Sequence, residues 1–174
     1  MSGRQSLSTA IRAGLVIIGT LLAGNVVALA DPEGPWTSAI QQADAALARK
    51  EYSAALRAAN DAYTAALGST RWDGMVLAGD LYRRIGDQTG LRRSFDAKAK
   101  EAYQKAFFRA RQQASVEGVL RSMEGYAALG DVQMVGVGIR VAERLAARDP
   151  EALADVRAFR SRIGEPNATT EIRN

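Results

Sequence analysis

The chain has 174 residues, 23 of them basic and 19 acidic, for a net charge of +4, and it contains neither histidine nor cysteine. That composition excludes disulfides, thiol and imidazole chemistry, and the two commonest transition-metal ligands. Carboxylate pairs such as Asp80 with Asp87, or Glu117 with Glu124, remain; at helical spacing they read as solvated charges, and the expectation is a protein with no catalytic, cofactor or metal site.

Residues 1–12 carry Arg4 and Arg12 and no acid, an apolar run follows over residues 13–29, and Ala28-Leu29-Ala30 supplies the small residues of a signal-peptidase site. The pattern predicts a signal peptide over residues 1–30, cleaved after Ala30, and a polar leader at residues 31–35 holding Pro32, Gly34 and Pro35. The expected location is then periplasmic or secreted. The alternative is an uncleaved inner-membrane anchor, since a membrane-spanning helix wants about 20 apolar residues. Gly14, Gly19, Gly24 and Asn25 interrupt this one. Beyond the signal peptide, 21 basic residues are mixed among 19 acidic ones, so nucleic acid is not an expected partner.

After Pro35 the apolar residues follow a helical period and no strand-like alternation appears. Trp36, Ile40, Ala43 and Leu47 stripe a first helix; Tyr52, Ala55, Leu56, Ala59 and Tyr63 stripe a second, with Lys50-Glu51 at the turn. A third carries Met75, Ala78, Gly79 and Tyr82 and is expected to end at Gly86. The fourth and longest, over residues 91–114, buries Phe95, Ala99, Ala102, Tyr103, Ala106 and Ala110. Ser115 starts a fifth, with Val119, Met123 and Tyr126 inward, and Gly130-Asp131 closes it. The sixth, over residues 132–148, has two stripes, Val135, Ile139, Ala142 and Ala146, and Met134, Val137, Val141 and Leu145, which predict packing on two sides. Its Gly136-Val137-Gly138 serves close helix packing rather than a dinucleotide loop, because no strand precedes it. Asp149-Pro150-Glu151 supplies an N-cap, a proline at the first helical position and an acid at the positive dipole end, and so starts a seventh helix that runs to Gly164. Residues 165–174 read as a flexible tail.

Two segments match, Tyr82-x-x-x-Gly86-Asp87 and Tyr126-x-x-x-Gly130-Asp131, and each is expected to join two helices of a hairpin. With Gly79 before the first and Ala142 after the second, and with Ala43, Ala55, Ala59 and Ala62 in the first unit, the hairpins resemble tetratricopeptide repeats over most of residues 36–163. The resemblance implies an all-α fold, an α-solenoid of about three antiparallel helical hairpins closed by a C-terminal capping helix. Trp36 to Trp72 spans 36 residues, near the family's unit of about 34, whereas Tyr82 to Tyr126 spans 44. The middle unit is therefore expected to be longer, mainly in its second helix, and HEAT-like helical pairs are an alternative.

In the tetratricopeptide family the first helix of each unit lines a binding groove. Carried onto this chain, the positions are Thr37, Ile40 and Asp44 in the first unit, Asp73, Val76, Asp80 and Arg83 in the second, and Glu117, Leu120 and Glu124 in the third. The recurring acids imply a protein or peptide partner with apolar anchors and some basic character. Phe108 projects away from the stripe of its helix and is a further candidate contact, or else meets another helix. The basic residues of the same helix, Arg92, Arg93, Lys98, Lys100, Lys105, Arg109 and Arg111, flank the stripe and are expected to snorkel along the core edge. The implied role is an exported protein-interaction module. Its alternatives are an accessory structural subunit of a membrane-associated or redox complex, and a small-ligand binder.

Overall fold

The computed structural model describes residues 34–164. The predicted signal peptide and the predicted tail lie outside the described residues. Every regular element among the described residues is a helix: α1 Thr37–Ala48, α2 Tyr52–Leu67, α3 Asp73–Thr89, α4 Arg92–Gln112, α5 Val116–Ala128, α6 Val132–Leu145 and α7 Pro150–Ile163. Each helix packs on the next, and α1 also touches α3, α3 touches α5, and α5 touches α7. The first helices of the three hairpins thus form one continuous layer that α7 completes. The second helices, α2, α4 and α6, pack against it. This is an all-α helical-repeat solenoid, with its core between the two layers.

The stripes read from the sequence are buried: Ala43 and Leu47 on α1, Phe95, Ala99, Tyr103 and Ala110 on α4, and Val135, Ile139 and Ala142 on α6. The second α6 stripe divides, Val141 being buried while Val137 stays partly exposed. The predicted helix starts at Ser115 and Asp149 are capped as the residue types require, and Asp131, expected only to close α5, also caps α6. Ser115 Oγ accepts from the Gly118 amide at 3.0 Å, Asp131 Oδ1 from Met134 at 3.1 Å, and Asp149 Oδ1 from Glu151 and Ala152 at 3.0 and 3.1 Å.

The paired Tyr-x-x-x-Gly-Asp segments diverge. Gly130 ends its helix with a left-handed φ of +73°, and the Asp131 amide reaches back to the Tyr126 carbonyl at 2.9 Å. Gly86 does not end α3, contrary to expectation. The helix runs through it to Thr89 and stops at Gly90, whose φ is +73°. Gly86 is instead a contact point: a β-carbon there would meet Phe95 Cβ at 2.8 Å, so its hydrogen lets α4 cross close to α3. The extra length of the middle unit is shared between a 17-residue α3 and a 21-residue α4 rather than lying mainly in the second helix.

The equivalents of the Gly130-Asp131 turn are Lys50-Glu51 and Ala114-Ser115. Glu51 N bonds the Ala46 carbonyl and Ser115 N the Ala110 carbonyl, both at 2.9 Å, in the same five-residue pattern as Asp131 to Tyr126. Lys50 and Ala114 therefore take positive φ, 59° and 52°, where a side chain is strained. Ala114→Gly will stabilise the fold by about 0.5–1 kcal/mol, the relief of left-handed strain outweighing the added freedom of the unfolded chain. Urea denaturation checks this, and a lower midpoint would show that Ala114 is not strained.

Aromatic side chains set the spacing between hairpins. Trp36, preceding α1, lies over Gly74 of α3, and Trp72, preceding α3, lies over Gly118 of α5; an added β-carbon would come within 2.5 Å of the first ring and 2.7 Å of the second. The same tryptophan-on-glycine contact is thus built at two successive joints. Tyr103 of α4 is wedged between Gly79 of α3 and Gly125 of α5, each of whose β-carbons would meet its ring at 2.5 Å. The predicted close packing of α6 is carried by Gly138, which faces Met123, whereas a β-carbon on Gly136 would meet only the Arg140 guanidinium, at an ordinary contact distance of 3.7 Å.

The basic residues of α4 mostly find partners within the fold. Arg92 pairs with Asp87 at 2.8 Å, Lys100 with Asp131 at 2.6 Å and Lys105 with Glu101 at 3.0 Å. The Lys98 ammonium lies 5.3 Å from the Tyr82 ring centre. Arg109 donates to the Ala66, Leu67 and Arg71 carbonyls at 2.8, 3.1 and 2.9 Å, a cationic cap on the C-terminal end of α2.

Candidate functional site

The layer of α1, α3, α5 and α7 presents equivalent positions in register. Offsets of 36 and 44 residues align Asp44 with Asp80 and Glu124, and Gln41 with Leu77 and Arg121. Asp44, Asp80 and Glu124 are all at least partly exposed on this layer. None stands alone. Arg84 of α3 reaches Asp44 of α1 at 2.7 Å; Arg121 of α5 lies 3.9 Å from Asp80 of α3 and pairs with Glu124 on its own helix; and Arg162 of α7 donates to Glu124 at 2.5 Å. A face expected to be acidic is a mixed-charge ladder, because each carboxylate is met by an arginine of the next first-layer helix.

The centre of the ladder is anchored from beneath. The buried Tyr103 hydroxyl donates to Asp80 Oδ1 at 2.7 Å, which fixes that carboxylate on the surface. Burial first, and then the adjacent Asp80 charge, holds the Tyr103 phenol far above its ordinary range. Arg83 is half-buried beside the same hydroxyl, with Asp87 at 3.6 Å. Burial lowers its basicity while Tyr103, Asp80 and Asp87 raise it, for a net rise.

The other candidates are placed differently. Val76 and Leu120 are 2% and 9% exposed and belong to the core, so they offer almost no side-chain surface. Their neighbour Leu77, 37% exposed, is the apolar residue that α3 shows on the ladder face, with Asp80 and Arg84 one and two turns on. Ile40 is half-buried and packs against the core. Among the other carried-over positions, Asp73 pairs with Arg71, Thr37 Oγ1 donates to the Gly34 carbonyl at 3.0 Å, and Glu117 is exposed. Phe108 sits apart on α4, in the other layer, 43% exposed, its ring 5.7 Å from Phe107 and 5.4 Å from the Arg111 guanidinium.

Arg84, Arg121, Arg162 and Leu77 are the residues the sequence reading passes over. A signal for the arginines exists: they follow Asp44, Asp80 and Glu124 by 40, 41 and 38 residues, each close to one repeat length. Leu77 is hidden by a single-position rotation of α3. The site offers charge, a leucine and hydrogen-bonding groups, which can hold a ligand noncovalently. Among the described residues no helix is long and apolar enough to cross a membrane. Fold and site together define a helical-repeat solenoid with a charged, leucine-centred face. Comparison with family models, with curated proteins and with solved structures finds no match.

Proposed function

We propose that this chain is an exported interaction module of the tetratricopeptide-repeat kind, docking a peptide or partner protein noncovalently on the face of α1, α3, α5 and α7, with no catalytic step. The observation that carries this reading is the register of that face. Asp44, Asp80 and Glu124 recur at one position with an arginine beside each, and Leu77 provides an apolar anchor between them. A surface of this kind suits an extended or helical segment that brings its own apolar side chain and charges of both signs. The predicted signal peptide supports export to a periplasm or beyond.

A second reading, a permanent accessory subunit of a membrane-associated or redox complex, draws support from the apolar residues outside this face: Phe108 is 43% and Val137 37% exposed. Photo-cross-linking amino acids at Gln41 and Leu77, and separately at Phe108 and Val137, in the chain expressed from Met1, distinguish the two. Docking on the ladder predicts discrete partner adducts from Gln41 and Leu77. Adducts from Phe108 and Val137 alone transfer the weight to the subunit reading, and none from any position overturns both. Intact mass of the same material tests export: a mature chain beginning at Asp31 is expected, and one still beginning at Met1 refutes cleavage.

A further inference from the structure

We infer that the arginine ladder is a salt-sensitive brace that sets how tightly the hairpins close on one another along the α1, α3, α5 and α7 face. Every joint of this layer has a charged rung: Arg84 to Asp44 between α1 and α3 at 2.7 Å, Arg121 to Asp80 between α3 and α5 at 3.9 Å, and Arg162 to Glu124 between α5 and α7 at 2.5 Å. Arg121 also pairs with Glu124, so the second and third rungs share charges and act as one network. Two of these joints, α1 with α3 and α3 with α5, are narrow where Trp36 lies on Gly74 and Trp72 on Gly118, and these contacts act as pivots without room to slide. The rungs lie at the surface end of each joint, with side-chain exposures between 30% and 64%, and are open to counterions.

Tightly packed pivots with screenable charges at the rim make a set of hinges. Salt shortens the Debye length from about 10 Å at 0.1 M to about 3 Å at 1 M, and surface pairs lose their attraction accordingly. Closure of the face, and with it the width offered to a ligand, then follows ionic strength while each hairpin stays intact. The second layer carries a hydrogen bond from the Tyr63 hydroxyl to Glu101 at 2.8 Å and one further surface ion pair, Lys100 to Asp131 at 2.6 Å, which salt also weakens; the units are kept together by the buried Tyr103 ring between Gly79 and Gly125, so loosening the ladder changes the bend rather than separating them.

The absence of cysteine makes the test direct, since two introduced cysteines are the only labelling sites. Spin labels at Gln41→Cys and Ser161→Cys report the span from α1 to α7 by pulsed dipolar spectroscopy. Labels at Gln41→Cys and Asp61→Cys report the inside of one hairpin. The span is expected to lengthen and broaden by a few ångströms between low and high salt, as small helix displacements of about 1–2 Å accumulate over three joints. The intra-hairpin distance stays fixed. In Arg84→Gln/Arg121→Gln/Arg162→Gln the span is expected to be long at low salt and to respond to salt much less than the wild type does. A wild-type span that ignores salt, or a triple variant that still responds as the wild type does, overturns the proposal. If circular dichroism shows that the triple variant does not fold, Arg121→Gln alone, which removes the middle rung and leaves two, is expected to give a longer span at low salt and a smaller response to salt than the wild type, and a response equal to the wild type's overturns the proposal.

Discussion

Tyr103→Ala will cost about 3–5 kcal/mol, the range for removing a fully buried aromatic ring. The ring has no exposed surface and separates α3 from α5 by resting on Gly79 and Gly125, so its loss leaves a void that two hairpins line. Tyr103→Phe keeps the ring and removes only the donor to Asp80, and is expected to cost about 1–3 kcal/mol, the range for a hydrogen bond to a charged acceptor. The reverse change tests the same wedge. Gly125→Ala puts a methyl group 2.5 Å from ring carbons that cannot retreat, for about 1–3 kcal/mol of overpacking. In the Tyr103→Ala background that methyl group enters the void and should cost almost nothing. Denaturant midpoints of the four proteins close the cycle. If Gly125→Ala costs the same with and without the ring, Tyr103 is not what holds the joint.

How much of this arrangement the sequence discloses depends on whether a feature is local. The helix starts read at Ser115 and Asp149 need only a short capping side chain and the next turn, and they form as read. The apolar stripes likewise depend on a period, and the buried faces of α1, α4 and α6 follow it. Gly86 misleads because glycine has two uses. A Gly-Asp pair after a tyrosine marks a turn at Gly130, yet the same pair at Gly86 serves contact with Phe95, and only the third dimension separates the two. Conversely the turns at Lys50 and after residue 114 are read in the right place, but not their left-handed backbone, which the packing of the helices they join imposes although their side chains disfavour it. At the candidate site, the acids are legible as a recurrence, but their arginines come from the next helix of the layer some 40 residues away. Charge on a surface cannot be summed from one helix at a time.

Alkaline pH will destabilise this protein steeply over about two units above pH 10, because three of its tyrosines are buried in the core. An unfolded tyrosine ionises near pH 10. Burial, the largest influence on each, pushes Tyr82 and Tyr126 up to about 12, with Tyr63 the next influence on the former and Asp131 on the latter; Tyr103 is pushed higher still. The folded chain therefore keeps protons that the unfolded chain releases. Stability from these groups is complete below pH 10 and falls as pH rises toward the folded-state values. Each such tyrosine contributes a slope of about 1.4 kcal/mol per pH unit, so three contribute about 4. Over the two units to pH 12 that slope removes up to about 8 kcal/mol, enough to unfold a domain in the lower half of the ordinary range of about 5–15 kcal/mol. The tyrosinate absorbance of these three of the chain's five tyrosines and the far-ultraviolet circular dichroism, followed together, should change in one coincident step. Tyr103→Phe should reduce the slope by about a third while lowering the stability from which it starts. A gradual, independent titration of all tyrosines near pH 10 with the helices intact would show that water reaches these rings, and the wedge between α3 and α5 would fall with it.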